Sequence, residues 1–565
     1  MAASKALAMP RTFGAPAPLS PGYQEIVIGL VYYAGATGST FCDDVRTLLA
    51  DHGYPASDVI KVSALIAERA PEGTVPPLKT EGRARGRHRL KRVFALQDQG
   101  DALRQGNPAV LAALAIERIR LLRGGPPTPD GRRAFIIDSL KHRDEVELLR
   151  LVYGSNFRLI AIHCSRVHRK ERLLREKFRS AKREDVERFL DRDEQDRTRD
   201  WGQEVNKVFY QADYFIDNNH PQEGVKYLPD LKRFMHLCVG GAMARPTVEE
   251  TGMYHAQASA LRSACLSRQV GAAILSPEGR LLALGTNDVP KSGGGLYHDG
   301  DSPDHRCFRW AEWCACPDDP RWTTLYDESP VGTPHCHNSR RKHELRRTIG
   351  DWLADRLAPV LGERVAREIG SGGGGLFVSK EKARIEALVR EILHDPALLR
   401  DMPGIQDLIE YSRSIHAEMD ALMSALRSGL STVGATLYCT TYPCHHCARH
   451  IVAAGIGTVY YMEPFIKSLA LELHHDALVH DAEEVPGKVS ILPFTGVGPR
   501  LYGELFLKEG EWKTETGRFQ PPRGAGLRRT IQLDSLDAVE QRAARLARPA
   551  SGGAVQRIPG RKPSA

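Results

Sequence analysis

The spacing of one histidine and two cysteines constrains this chain more than any other feature of its sequence. His416-Ala-Glu418 opens an amphipathic helical pattern, and Pro443-Cys444-His-His-Cys447 opens another, with a β-rich run between them. Residues three apart at the start of a helix can direct both side chains at one point, and proline suits a helix entry. The pattern therefore predicts a helix–strand–helix unit in which His416, Cys444 and Cys447 share one site.

Those three side chains are the ligand set expected of a catalytic zinc ion. Zinc binds imidazole and thiolate groups, and a catalytic zinc keeps a fourth position for water. Glu418 is expected to reach the same cavity without being a ligand. Zinc lowers the pKa of its water from ~15.7 to about 7, and a nearby carboxylate can pass the proton to a ring nitrogen and then to leaving ammonia. The ordered pattern is typical of zinc-dependent nucleobase deaminases.

A closed structural zinc site is the competing interpretation of this pattern. His445, His446 or His450 would complete it as a fourth ligand. That arrangement would leave Glu418 without a role and would fill the position that water needs. The catalytic interpretation is therefore preferred.

Composition places the chain among ordinary globular proteins. It has 565 residues, of which 42% are hydrophobic and 26% charged, and this length suggests more than one domain. No run of ~18 apolar residues is present, so no membrane-spanning helix is expected. Met1–Pro21 does not resemble a secretion signal, and a cytoplasmic location is predicted. The net charge of +8 is mild for this length and does not by itself predict a nucleic-acid partner.

A first domain is predicted over residues 23–220, after a flexible N-terminus over 1–22. A β-rich run from Glu25 to Val31 leads into the glycine-rich turn 34–40 and then a helical pattern. Further buried strands are expected at Ala134–Asp138 and Arg158–Ile162. Such alternation predicts an α/β fold, a parallel sheet with helices on both faces. The turn offers backbone N–H groups to phosphate oxygens.

The turn departs from a working Walker A loop, G-x-x-x-x-G-K-[ST]. With the second glycine at Gly38, Tyr33 takes the first glycine position, Ser39 the lysine position and Thr40 the metal-binding hydroxyl position. Phosphoryl transfer is therefore doubtful, and a regulatory or nucleotide-sensing domain is preferred over an inert scaffold or an active kinase. The predicted nucleotide-binding residues are Gly35, Gly38, Ser39, Thr40 and Asp138.

A second domain is predicted over residues 250–510, with an insertion at 291–412. Its strands are expected at Val270–Leu275, Leu281–Gly285, Ala435–Cys439 and Gly457–Tyr461. Residues 521–565 are rich in Arg, Ala, Gly and Pro and predict a basic, largely disordered tail, with some helical periodicity around Leu536 to Leu546.

Residues 253–510 resemble the deoxycytidylate deaminase branch of the zinc-dependent cytidine deaminases. The resemblance rests on the zinc motif together with 267–272 (SRQVGA), 285–287 (GTN) and 463–468 (EPFIKS). Coupling to a P-loop-kinase-like N-terminal domain narrows it to bacterial anti-phage dCTP deaminases. The resemblance implies a cytidine-deaminase-like α/β/α sandwich that converts dCTP or dCMP to the uracil form and drains the dCTP that a phage needs. It also implies possible inhibition by a small RNA, and assembly as a homo-oligomer.

The resemblance also assigns substrate contacts. Asn287 would bind the deoxyribose or base, the backbone at Ala417 would read the pyrimidine edge, and Arg268 and Lys291 would contact phosphate. Asn287 follows a predicted strand, where a structural Asx turn is the alternative role.

A second, structural zinc is a further possibility within the insertion. Cys307, Cys314, Cys316 and Cys336 lie there together with several histidines. Four such ligands can order a loop around a tetrahedral ion. Free surface thiols are the competing interpretation, and both stay open.

Two other functions share parts of these patterns. A polynucleotide cytosine or adenine editor uses the same zinc chemistry but needs a basic, aromatic-lined channel, and no dense basic stripe surrounds the zinc motif. An RNA-binding regulator that has kept a deaminase shell has no need of Glu418. A mononucleotide deaminase is therefore the preferred prediction.

Overall fold

The computed structural model describes most of the chain and divides it into two compact units. The described residues are 24–37, 41–77, 85–128, 131–179, 181–194, 201–219, 227–239, 245–309, 336–369, 375–395, 405, 408, 411–464, 468–480, 485–508, 511, 513–519 and 533–547. Unit 1 is built from the chain up to Thr251 with Met462–Pro464 and the chain from Pro493 onward. Unit 2 holds Gly252–Tyr461 and Phe465–Leu492.

The described elements alternate between strands and helices over much of the chain. Strands β1 to β12 are Ile26–Tyr32, Ala56–Lys61, Arg133–Asp138, Phe157–His163, Tyr214–Asp217, Gly271–Leu275, Leu281–Thr286, Thr436–Thr441, Thr458–Glu463, Leu478–His480, Val489–Pro493 and Gly496–Val497. The α-helices are Phe41–Asp51, Val62–Arg69, Arg85–Gly106, Val110–Arg123, Arg143–Tyr153, Arg166–Arg172, Arg183–Glu194, Val205–Phe209, Tyr227–Val239, Val248–Ala260, His337–Ile369, Gly375–His394, Ala417–Arg427, His445–Ala453, Ala470–Leu473, Pro499–Phe506 and Leu533–Arg545.

Unit 1 is built on a six-stranded sheet in the order β2-β3-β1-β4-β5-β12. The first five strands are parallel, and β12 joins β5 in antiparallel orientation. The central strand β1 is buried at six of its seven positions, as expected when helices cover both faces of a parallel sheet. The predicted α/β architecture with a parallel sheet is confirmed, and its likeness to a P-loop kinase stays a prediction.

The C-terminal part of the chain belongs to unit 1, which differs from the predicted domain boundaries. The segment from Pro493 was expected to close a domain ending at 510, but Val497 pairs with Tyr214 on β5. The helical periodicity around Leu536 to Leu546 is confirmed, because the predicted tail, residues 521–565, contains the helix Leu533–Arg545, which is packed in unit 1. The reason is a buried ion pair, in which Arg123 lies 2.7 Å from Glu540. A charge buried on the helix before β3 needs such a partner.

Unit 2 is built on a second sheet in the order β7-β6-β8-β9-β11-β10. Strand β6 is antiparallel to both β7 and β8, whereas β10 and β11 are parallel. The four predicted strands of this domain correspond to β6 to β9, within one or two residues at their ends. The helix Ala417–Arg427 packs on β6 and β7. Mixed α/β architecture is therefore confirmed for this unit.

The predicted insertion, residues 291–412, contributes helices rather than strands where it is described. His337–Ile369 and Gly375–His394 pack against one another. None of the helices in the described ranges has the length and apolar character needed to cross a membrane.

Candidate active site

His416, Cys444 and Cys447 come together in unit 2 as the sequence predicts. Their ligand atoms all lie within 4.8 Å of one another, and they are the one group of three or more potential metal ligands found among the described residues. The Nδ1 atom of His416 lies 3.3 Å from the Sγ atom of Cys444 and 3.3 Å from that of Cys447. The imidazole therefore faces both sulfurs through one ring nitrogen.

These distances fit a zinc ion. With Zn–S bonds of about 2.3 Å and Zn–N bonds of about 2.0–2.1 Å, tetrahedral nitrogen and sulfur ligands lie about 3.5 Å apart. The two N···S distances of 3.3 Å are close to that value. A site with one imidazole and two sulfurs also leaves a fourth position open, as catalytic zinc requires.

Two helix N-termini converge on the ligands. His416 is the N-cap of the helix Ala417–Arg427, and Cys444 is the N-cap of the helix His445–Ala453. Both caps have extended backbone and direct their side chains away from the helical hydrogen-bonding pattern. The positive end of a helix dipole favours thiolate at such a position. A hydrogen bond with Cys447 lowers the pKa of the Cys444 thiol to about 4 against the effect of burial, and His416 adds to the lowering.

Strand β7 fixes the start of the helix that carries His416 and Glu418. The backbone N–H of Thr286 donates to the Asp420 carboxylate at 3.0 Å, and the N–H of Ile415 donates to the carbonyl oxygen of Asp288 at 3.0 Å. Buried Asp420 is a positioning residue that the sequence analysis missed. Its signal was a carboxylate on the apolar side of the helix, two residues after Glu418.

Glu418 is enclosed beside the ligands. Its side chain is 3% exposed. Burial raises the pKa of its carboxyl above the ordinary value, and the negative charge of Cys444 adds to that effect. A carboxyl with a raised pKa can both accept and return a proton near neutral pH. Glu418 is therefore equipped for proton transfer.

Asn287 is held by the backbone of the neighbouring loop. Its Oδ1 accepts a hydrogen bond from the N–H of Val270 at 2.6 Å, and its Nδ2 donates to the carbonyl oxygen of Arg268 at 2.7 Å. Asn287 therefore has a structural role, although its bonds reach Val270 and Arg268 and are not those of the predicted Asx turn. These two bonds use both polar atoms of the Asn287 amide. Contact between Asn287 and the substrate therefore stays a prediction.

The other predicted substrate residues occupy different surroundings. Ala417 is fully buried as the first residue of its helix, where backbone N–H groups have no intrahelical acceptor. Arg268 is exposed in the loop before β6. The Nζ atom of Lys291 lies 2.9 Å from Asp301, so a phosphate would compete with this carboxylate. Their phosphate and base contacts remain predictions.

Two of the four cysteines considered for a second zinc are described. Cys307 and Cys336 are both partly buried and close enough for Cys336 to raise the pKa of Cys307, although burial is the larger cause. Cys265 also contributes to the raised pKa of Cys307. Cys314 and Cys316 lie outside the described residues. The second zinc stays a prediction.

In unit 1, the predicted nucleotide-binding residues are only partly described. Gly35 has a φ of +85° and lies under the helix Arg166–Arg172, whose Arg169 carbonyl oxygen would be 2.8 Å from an added Cβ. Asp138 ends β3 and accepts a hydrogen bond from Tyr32. Gly38, Ser39 and Thr40 lie outside the described residues. Sequence analysis missed Lys141, whose Nζ donates to the carbonyl oxygen of Tyr32 at 2.7 Å.

Comparison with known proteins places the zinc ligands in a recognised region. Residues 380–463 match the model of the family described as cytidine and deoxycytidylate deaminase zinc-binding region. ComE operon protein 2 of Bacillus subtilis (strain 168) is 48% identical over 54 residues, and the deoxycytidylate deaminase of Enterobacteria phage T2 is 44% identical over 54 residues. Each match covers 10% of this chain and 29% of the relative. The chain therefore spans less than a third of these relatives.

Solved structures give a weaker comparison. The dCMP deaminase of cyanophage S-TIM5, in complex with dCMP and dUMP, aligns over 44% of this chain and 98% of its own length. Its sequence identity is 16% and its TM-score is 0.21, too low to support a conclusion. The sequence match carries the comparison: the region that holds His416, Glu418, Cys444 and Cys447 is similar to the zinc-binding region of cytidine and deoxycytidylate deaminases.

Proposed function

We propose that unit 2 catalyses zinc-dependent hydrolytic deamination of deoxycytidine nucleotides, converting dCMP or dCTP to dUMP or dUTP with release of ammonia. The observation that carries the proposal is the buried Glu418 carboxyl beside three ligand atoms that lie within 4.8 Å of one another. A purely structural zinc site has no need of that carboxyl. The match to a deaminase zinc-binding region supports the same conclusion.

The residues of this chain suit each proton transfer in the reaction. Zinc held by His416, Cys444 and Cys447 would activate water and leave one position open for it. Glu418 would accept a proton from the attacking water and give it to the ring nitrogen next to the amino-bearing carbon. It then transfers the second proton to the departing amine, so that water adds and ammonia leaves. Because Glu418 is shielded from solvent, these protons stay within the site.

The deoxycytidine nucleotide is proposed from the named relatives. The phage T2 and phage T4 proteins that match this chain are deoxycytidylate deaminases. Action on dCTP, depletion of dCTP during phage infection, control by a small RNA, a homo-oligomeric assembly and a cytoplasmic location are further proposals. The location rests on the sequence alone, and the other four rest on the resemblance to bacterial anti-phage dCTP deaminases.

A substrate panel tests the proposal. The full chain, loaded with zinc, is given dCMP, dCTP, CTP and a cytosine-containing oligonucleotide, and uracil products and ammonia are measured. The deoxynucleotides are expected to react first. Activity confined to the oligonucleotide would support the polynucleotide editor instead. No activity on any of the four, at full zinc occupancy, would contradict deamination of cytosine nucleotides.

A further inference from the structure

Unit 1 contains a cavity of about 240 Å³ at the carboxyl ends of its central strands. Tyr32 and Asp138, the last residues of β1 and β3, line it, and so does Val62, which follows β2. Strand β1 lies between β3 and β4, where the chain changes direction across the sheet. In open parallel sheets this is where ligands bind. The cavity has the size of one small molecule.

Two buried amide side chains in this cavity have polar atoms without hydrogen-bond partners. Gln97 and Gln203 are each 6% exposed. Both polar atoms of the Gln97 amide, and the Oε1 atom of Gln203, make no hydrogen bond to any described residue. Leaving such groups buried and unpaired is unfavourable, and a ligand with ring donors and acceptors would satisfy them. Apolar walls beside them suit a flat ring, with Leu96, Phe178 and Phe189 among the lining residues.

On the other side of the cavity lies a carboxylate of the chain itself, that of Asp193. The backbone N–H of Ala34, in the glycine turn after β1, donates to the Asp193 carboxylate at 2.5 Å. The Nζ atom of Lys141 lies 3.1 Å from the same carboxylate. Asp193 is buried, with 3% of its surface exposed. A turn N–H and an ammonium group are also the donors that phosphate takes.

Lys177 adds another cation to the lining of the cavity. The residue is solvent-exposed, and its ammonium group interacts electrostatically with the Asp138 carboxylate. Asp138 itself accepts a hydrogen bond from Tyr32. The cavity lining therefore carries the cations Arg104, Lys141 and Lys177 and the carboxylates Asp138 and Asp193, and Arg104 is paired with Asp101 and Glu145 outside the lining. Displacing Asp193 would leave the cations in excess.

We propose that this cavity binds a mononucleotide whose ring is recognised by Gln97 and Gln203 and whose phosphate displaces the Asp193 carboxylate from Ala34 and Lys141. The inference concerns unit 1 and does not depend on deamination in unit 2. Lys141 supplies the cation that the glycine turn lacks in sequence. Asp193 lies one residue before the end of the helix Arg183–Glu194 and links that helix to the turn when no phosphate is present.

Ion pairs next to Asp193 connect displacement of its carboxylate to the neighbouring helices. Glu194, which follows Asp193, lies 2.6 Å from Arg166 and also pairs with Arg169. These pairs hold the helix Arg183–Glu194 to the helix Arg166–Arg172, whose Arg169 carbonyl oxygen lies against Gly35. Ligand binding is therefore expected to change hydrogen exchange at the end of the helix Arg183–Glu194 and in the helix Arg166–Arg172.

The test measures binding to the full chain by calorimetry. The probes are dAMP, dGMP, dCMP and dTMP, with the matching nucleosides and inorganic phosphate. Lys141→Met is expected to weaken nucleotide binding about tenfold or more and to leave nucleoside binding nearly unchanged. Gln97→Leu should weaken both nucleotides and nucleosides. Gln105→Leu, on the exposed side of the same helix, is the control and should change neither. Asp193→Asn should tighten nucleotides several-fold without affecting nucleosides.

Clear outcomes would overturn this proposal. Nucleotide binding that is unaffected by both Lys141→Met and Gln97→Leu would place the ligand elsewhere. If inorganic phosphate bound as tightly as every nucleotide, the cavity would not be recognising the ring. Absence of binding by any probe at millimolar concentration would also contradict it. Because dCMP deamination is measured separately, loss of that activity and loss of unit 1 binding can be told apart.

Discussion

A Cβ atom placed on Gly285 would lie 2.0 Å from the carbonyl oxygen of Ala417. Strand β7 and the first turn of the helix that carries Glu418 are therefore in direct backbone contact. Gly285→Ala should push that helix away from β7, because the obstacle is backbone and cannot rotate aside. We expect a loss of stability of about 1–3 kcal/mol or more and a larger loss of deaminase activity, measured by urea unfolding and initial rates.

Gly503→Ala is the matched control for that substitution. Gly503 lies inside the helix Pro499–Phe506, and no atom lies within 4 Å of its added Cβ. Alanine there should be neutral or stabilising by up to about 1 kcal/mol. A Gly285→Ala protein as stable and active as the parent would show that the contact does not position the site.

Substitution of Asn287 distinguishes a structural role of its amide from a contact with the substrate. Because its amide holds the backbone of Arg268 and Val270, Asn287→Ala should destabilise unit 2 by about 1–3 kcal/mol. Unfolding in urea and the Michaelis constant for dCMP are measured together. A raised Michaelis constant with unchanged stability would instead identify Asn287 as a substrate contact.

Arg123 should be among the residues on which unit 1 depends most. It lies 2.9 Å from Glu25 and 2.7 Å from Glu540, and all three side chains are buried. Arg123→Met would leave two carboxylates buried without their cation, at a cost of about 3–5 kcal/mol. Urea unfolding measures the change.

Arg118→Met is the control for that ion pair, on the same helix. Arg118 pairs with Glu68 at the surface, with side chains 35% and 53% exposed, and such pairs contribute about 0–1 kcal/mol. Equal effects of the two substitutions would contradict a role for Arg123 in fastening the C-terminal helix.

Zinc content distinguishes ligands from neighbouring thiols. Cys447→Ser should lose one zinc per chain relative to the parent, since three protein ligands hold the ion. Cys439→Ser should retain that zinc, because buried Cys439 is not part of the group of ligand atoms. Atomic emission on purified protein gives the counts. Retention of full zinc by Cys447→Ser would exclude Cys447 as a ligand.

The zinc site could be predicted from sequence because its ligands follow local rules. His416 and Cys444 each begin a helix, and the three-residue spacing to Cys447 is set by helical geometry. The strands β6 to β9 were also recognisable, since each is a short run rich in apolar residues. These features depend on neighbours along the chain.

What the sequence did not reveal depends on contacts between distant segments. Glu540 meets Arg123 across more than four hundred residues, so the helical periodicity near Leu536 could be recognised in the sequence but its packing against Arg123 could not. Lys141 and Asp193 meet at the glycine turn only after the sheet has formed, and no motif links their positions. Asn287 could be given two roles because its partners, Val270 and Arg268, lie in another loop.

Replacement of Glu418 by glutamine tests the central claim most directly. Glu418→Gln keeps the size of the side chain but removes the proton carrier, whereas Glu472→Gln changes an exposed glutamate and serves as the control. Zinc content and the rate of dCMP deamination are measured on the same preparations. We expect Glu418→Gln to retain zinc and to lose activity by about 10²–10⁴-fold, with Glu472→Gln unchanged. Normal turnover by zinc-loaded Glu418→Gln would contradict the proposed mechanism.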